Sequence, residues 1–187
     1  KEPIAEPSAR GGGKPPKGVS QDLLDPNKPL RRAKPEEITP EFLEEVKKRK
    51  DQKVWIGELT NSKIIEQLGF KTDKPIKILF DGDALKHIEK RHGKGSNLVE
   101  ISKQPAVTIE DIRSYPEIVN HADLMRVVNE GQEKRLVIGK QINGYVIVIE
   151  TISTKRNTLK LKTIYKANGK LENGPDFGDG AYYDYRK

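Results

Sequence analysis

Two of the chain's three histidines, His87 and His92, lie within six residues of each other, with Arg91 beside the second. On a helix, His87 and Arg91 stand one turn apart, as do Ile88 and His92. This grouping suits RNA cleavage without a metal. The 2′-hydroxyl must lose a proton, the 5′-oxygen must gain one, and the crowded phosphate needs positive charge beside it. A histidine, with an ordinary pKa of about 6.5, can carry either proton near neutral pH. Arginine stays charged and grips phosphate through paired N–H groups. Its charge also lowers the pKa of an adjacent histidine, favouring the base form. A plainer reading stands beside this one: histidines at a helix C-terminus also complement the helix dipole, with no catalysis.

A metal or cofactor is not expected. The chain has no cysteine, which excludes disulfides and thiolate zinc sites. It lacks the HExxH arrangement, and the third histidine, His121, falls in a stretch without helical or strand period.

The helix that must carry His87, Arg91 and His92 is well marked. Pro75–Phe80 reads as a short strand, Asp81-Gly82-Asp83 offers an N-cap, and Gly93 ends the helix ALKHIEKRH. Upstream, Thr39-Pro40-Glu41 opens a helix with an N-cap, proline at the first position and an early acid. A short helix runs from Asn61 to Leu68 and stops at Gly69. Thr108 caps another that runs to about Tyr115, followed by an irregular stretch from Pro116 to Asp123.

Four strand-like runs follow: MRVVNE, KRLVIGK, YVIVIETI and TLKLKTIYK. Asn143-Gly144 between two of them is a strong hairpin signal. Helices followed by strands predict an α+β fold, with N-terminal helices packed on a four-stranded antiparallel sheet. In the last run, strict alternation places Leu159, Leu161, Thr163 and Tyr165 on one face and Lys160, Lys162 and Lys166 on the other. Thr163 and Tyr165 then offer hydroxyls to orient a phosphate or hold a histidine. Lys155, Arg156 and Lys160 are candidates for binding the flanking backbone. Trp55, Tyr145 and Tyr165 are the aromatics placed to stack bases, too few for a long single-strand platform.

Net charge is +7, with charged and hydrophobic residues each 34% of the chain. A basic balance favours a phosphate-bearing partner. Residues 1–38 read as a Pro/Gly-rich flexible linker, 39–51 as a connecting helix, 52–172 as the folded domain and 173–187 as a mobile tail. No apolar run reaches the length of a membrane span.

The succession IKILFDGDALKHIEKRHG, IEDIRSYPEIVNHAD, KRLVIGKQINGYVIVIET and LKLKTIYKANGK resembles the phage-associated branch of the barnase–EndoU–colicin–RelE-like nucleases, over about residues 54–170. The shared features are an HI..RH helix, a proline-containing segment ending in Asp, a hairpin, and a final strand ending in Thr-x-Tyr. Here these are His87, Arg91, His92, Pro116, Asp123, Thr163 and Tyr165.

The resemblance implies a barnase/RelE-like fold and metal-independent cleavage of RNA, transfer RNA included. It implies His87 and His92 as base and acid in either order, Arg91 against the phosphorane, and Thr163 and Tyr165 on the scissile phosphate. It also implies a toxin domain at the C-terminus of a larger phage or polymorphic toxin protein, delivered to act in a bacterial cytoplasm. A toxin of this charge calls for an acidic immunity protein. Two alternatives use the same charge: a non-catalytic phage structural or nucleic-acid-binding module, and an NAD- or nucleotide-consuming toxin.

Overall fold

A computed structural model of the chain describes residues 19–49 and 51–187. Seven strands form one sheet in the order β1-β2-β6-β5-β4-β3-β7. The four expected strands are its centre: β3 (Leu124–Glu130), β4 (Glu133–Gln141), β5 (Tyr145–Ser153) and β6 (Thr158–Ala167). They form an antiparallel meander. Asn143 and Gly144 take φ values of 50° and 83° at the β4–β5 turn. Positive φ at both central positions is what a two-residue hairpin demands.

The sheet is wider than the expected four strands. β1 (Lys53–Glu58) and β2 (Lys77–Asp81) form an antiparallel pair, and β2 joins β6 in parallel. A two-residue β7 (Tyr183–Asp184) pairs with β3 at the other edge. The parallel junction requires a crossover between non-adjacent strands, and no local sequence signal encodes such a pairing.

The helices lie where their caps place them. α1 (Pro40–Lys48) starts at Thr39, whose hydroxyl accepts from the Phe42 amide. It is more than a connector, because Phe42 and Val46 are fully buried and the helix packs chiefly on α3. α2 (Ser62–Leu68) is capped by Asn61 and closed by Gly69 in the left-handed region. α3 (Gly82–His92) carries both histidines. α4 (Asn97–Glu100) is a single turn. α5 (Ile109–Asn120) is longer than expected, because the helix continues through Pro116. Proline usually ends a helix; here Gly57 on β1 makes room for the ring, and a Cβ at that glycine would sit 2.6 Å from Pro116 Cβ. α5 lies across the sheet against β1, β4 and β5 and α3 lies along β6 and β2, whereas α1 reaches the sheet chiefly through α3.

The two terminal regions also differ from expectation. From Val19 onward the stretch read as linker contributes buried Val19, Leu23, Leu24 and Ala33 to the main apolar cluster. Arg31 ties it together by bonding both Asp22 and Glu37. The part of that linker from 1 to 18 lies outside the described residues. Phe177, in the segment read as a tail, and Leu171 just before it are buried against Leu124, Val137, Tyr145 and Ile147. Two apolar clusters therefore sandwich the sheet. The larger fills the face under the helices, and the smaller lies on the opposite face beneath residues 171–182.

Candidate active site

β6 contains one irregularity that decides the site. Ile149 pairs with Thr163 and Glu150 with Leu161, so Lys162 is an extra residue opposite no partner on β5. Such a bulge shifts the alternation by one. Leu159, Leu161 and Ile164 consequently point together into the main cluster. Thr163 and Tyr165 change sides and share the opposite face with Lys160 and Lys162. The strict alternation expected from the sequence is thus overturned, and the hydroxyls and lysines fall together rather than apart.

α3 closes this face at one end. β2 pairs with β6 only over Lys77–Leu79, after which Asp81 caps α3 by accepting from the Ala84 amide at 3.0 Å. The helix then packs along β6 in the place β2 has vacated. Ala84, Leu85 and Ile88 are buried, leaving His87 exposed on the flank.

A cavity of about 330 Å³ opens between α3 and the sheet. Asp81, Asp83, His87, Arg135, Lys160, Lys162 and Thr163 line it. His87 has its pKa lowered, first by partial burial and then by the charges of Arg91, Lys162 and Lys90. It is therefore held in the neutral, proton-accepting form at neutral pH. The cations are moderated by acids: Lys160 pairs with Asp81 at 3.3 Å, and Arg135 with Glu133 at 3.0 Å. The Thr163 and Thr151 hydroxyls are buried and lack partners among the described residues.

His92 is placed differently. It is buried, its ring lies 5.9 Å from that of His87 in an edge arrangement, and it stacks on Tyr165 at 5.6 Å. Its pKa is lowered by burial and then by His87 and Arg91, with Gln104 acting in the opposite sense. The Tyr165 hydroxyl donates to the Asp176 carboxylate of the C-terminal segment. Burial and that carboxylate push the phenol well above its ordinary value. Tyr165 thus supports the His92 ring, and its hydroxyl proton is already engaged.

Of the expected site residues, His87, Lys160 and Thr163 share the cavity, with His92 and Tyr165 stacked next to it. Arg91 is exposed one turn beyond His87 and does not line the cavity. Lys155 and Arg156 occupy the β5–β6 turn, also outside its lining. Pro116 and Asp123 are structural. Asp123 accepts from the Gln141 amide at 2.8 Å. His121 caps the end of α5, exposed and away from the cavity. Sequence reasoning missed Arg135, Asp81, Gln104 and Asp176 as site residues, and set Lys162 on the face away from Thr163. Asp81 was visible only as a cap, and the others depend on the bulge, a loop or the C-terminal segment. Among the described residues no cluster of His, Cys, Asp or Glu suits a metal ion, and no helix is long and apolar enough to cross a membrane.

A neutral histidine beside lysines, an arginine and a buried, unpartnered hydroxyl is an arrangement whose charge suits a phosphate ester. The family follows from the sequence as a whole. Residues 54–173 match the phage-Barnase-EndoU-ColicinE5/D-RelE like nuclease 3 family, and the chain belongs to it. Neither a curated protein nor a solved structure matches the chain.

Proposed function

We propose that this chain is a metal-independent endoribonuclease that cleaves by attack of the 2′-hydroxyl on the adjacent phosphate. The observation that carries the proposal is the placement of His87 in one cavity with Lys160, Lys162, Arg135 and Thr163. His87 takes the 2′-hydroxyl proton, and the freed oxygen bonds to phosphorus. The P–O5′ bond breaks, and the leaving oxygen receives a proton from an acid, a role given to His92, whose ring lies 5.9 Å from that of His87. The products are a 2′,3′-cyclic phosphate and a 5′-hydroxyl. Lys160, Lys162 and Arg135 hold the phosphate oxygens, which gain charge in the transition state. Thr163 donates its hydroxyl there, while Tyr165, held by Asp176, keeps the His92 ring in place. Arg91 is long and exposed enough to close over the phosphate from the next turn of α3. Lys155 and Arg156 hold the backbone further along the strand.

Family membership supports a toxin setting: a domain at the C-terminus of a phage or polymorphic toxin protein, delivered into a bacterial cytoplasm and acting there on RNA such as transfer RNA. The basic open face would suit an acidic immunity protein. The burial of His92 favours a second reading, a module that binds nucleic acid without cutting it.

Incubation with RNA and DNA in excess EDTA separates these readings. The expected result is cleavage of RNA alone, with cyclic phosphate ends. His87→Ala should lower the rate by roughly 10²- to 10⁴-fold, the usual contribution of a positioned acid or base. The acidic limb of kcat/KM should fall below pH 6.5, because His87, the base, titrates below that ordinary value. Binding without cleavage, unaltered in His87→Ala, would establish the second reading. Dependence on added divalent metal would end the first.

A further inference from the structure

The chain has a single tryptophan, Trp55 on β1, and it belongs to neither apolar cluster. Its position is fixed by register. Trp55 lies opposite Leu79 on β2, Leu79 opposite Lys160 on β6, Lys160 opposite Thr151 on β5, and Thr151 opposite Arg135 on β4. Residues directly opposed across strands project to the same face. The five therefore form one row on the face that holds the cavity. Two inter-strand spacings of about 4.8 Å place the Trp55 backbone about 10 Å from that of Lys160.

Three observations describe what this end of the row offers. The indole Nε1 donates to the Gly57 carbonyl at 2.8 Å, which fixes the ring by an edge. The Lys77 ammonium sits 4.7 Å from the ring centroid. Trp55 remains half-exposed, whereas Leu79 between it and Lys160 is buried. The helices cover the other face of the sheet, and the C-terminal segment covers this face only toward Tyr145, Ile147 and Val137.

A large aromatic ring held by its edge, with a lysine over its face and in one row with Lys160 and Arg135, suits one kind of ligand. A nucleobase stacks on an aromatic plane regardless of sequence, while lysines take the phosphates on either side. The other aromatics considered for this role are committed elsewhere: Tyr145 is buried, and Tyr165 is engaged by His92 and Asp176. We propose that Trp55 and Lys77 form a base-stacking subsite for single-stranded RNA, two strands from the phosphate held at Lys160. A strand lying across the sheet would place one base on the indole and the scissile phosphate in the cavity. The identity of the ligand as RNA rests on the nuclease reading; the subsite itself rests on register and ring geometry.

A single tryptophan makes the test direct. The full chain is titrated with a non-cleavable 2′-O-methyl oligonucleotide, following tryptophan fluorescence and, in parallel, anisotropy of a labelled strand. Inorganic polyphosphate serves as the base-free control. The expected result is quenching by the oligonucleotide, with the same midpoint as anisotropy, and no quenching by polyphosphate. Trp55→Ala should weaken oligonucleotide binding by roughly 5- to 150-fold, the range for loss of one stacked base, and Trp55→Phe should recover part of it. Binding without quenching, or full affinity in a folded Trp55→Ala variant, overturns the subsite. Quenching without RNA cleavage by the wild type keeps the subsite and overturns the nuclease reading. Cleavage without quenching does the reverse, and absence of both binding and cleavage overturns the two together.

Discussion

The two faces of the sheet are built from alternate residues of the same strands, yet they are put to different uses. The helix-covered face is closed and almost wholly apolar, from Ile78 and Phe80 through Leu161 and Ile164 to Leu136 and Ile138. It nevertheless buries one carboxylate, Glu150, fully and without a hydrogen-bond partner among the described residues. The opposite face is only half closed. The C-terminal segment seals the part over Tyr145 and Ile147, leaving lysines, threonines, Arg135 and Trp55 on the remainder. The contrast shows burial and chemistry divided by pleat, with the bulge at Lys162 deciding which residues of β6 fall on which side.

The division can be broken at several points. The largest effect is expected at Phe177, 1% exposed in the smaller cluster. Phe177→Ala should cost about 3–5 kcal/mol, as for other buried phenylalanines, measured by denaturant unfolding. A surface tail would lose almost nothing.

Next comes Glu150, whose pKa burial raises to about 8 from an ordinary 4.5. Between these values the folded state keeps a proton that the unfolded state releases. Stability therefore falls as pH rises through that window, and the whole contribution is present only below it. Glu150→Gln should gain on the order of a few kcal/mol at pH 8 and little at pH 4. Parallel pH profiles of the two proteins would refute the assignment.

Thr163→Val tests the open face with a smaller change. The hydroxyl is buried and unpartnered among the described residues. Its removal should leave stability equal or slightly higher, while the cleavage rate drops by about 10²-fold, the lower end for one lost transition-state hydrogen-bond donor. A loss of stability instead would make Thr163 a packing residue. The smallest effect is expected at Lys160. Lys160→Ala should reduce the slope of log affinity against log salt by about 0.7 for a single strand. An unchanged slope would mean that Asp81, 3.3 Å away, keeps this lysine from the ligand.

Much of the scaffold was legible because it is encoded locally. Asp81 and Gly93 bound the histidine helix, Asn143-Gly144 turns the hairpin, and period-two runs mark the four central strands. These signals act over a few residues and need no partner. The face assignment on β6 was not legible, since a bulge is defined by the register of the neighbouring strand. Nor was the role of the C-terminal segment. Residues 173–187 offer Phe177 and three tyrosines among glycines and acids, with no period, and only the hollow beside Gly139 gives Phe177 and the preceding Leu171 a place to go. A Cβ at that glycine would sit 2.5 Å from a Leu171 methyl and 2.8 Å from the Phe177 ring.

The sequence by itself determined that His87, Arg91 and His92 ride on one capped helix, that a basic antiparallel meander follows, and which family the motifs resemble. Tertiary structure alone decided which of these groups meet. It brought His87 to Thr163 and Lys160, buried His92 against Tyr165, left Arg91 outside, added Arg135, moved Lys162 onto the face of Thr163, and left Trp55 half-exposed on that face. The physical reason is range. Caps and turns are fixed by neighbours in the chain, whereas a site across a sheet is fixed by strand pairing between residues far apart in it.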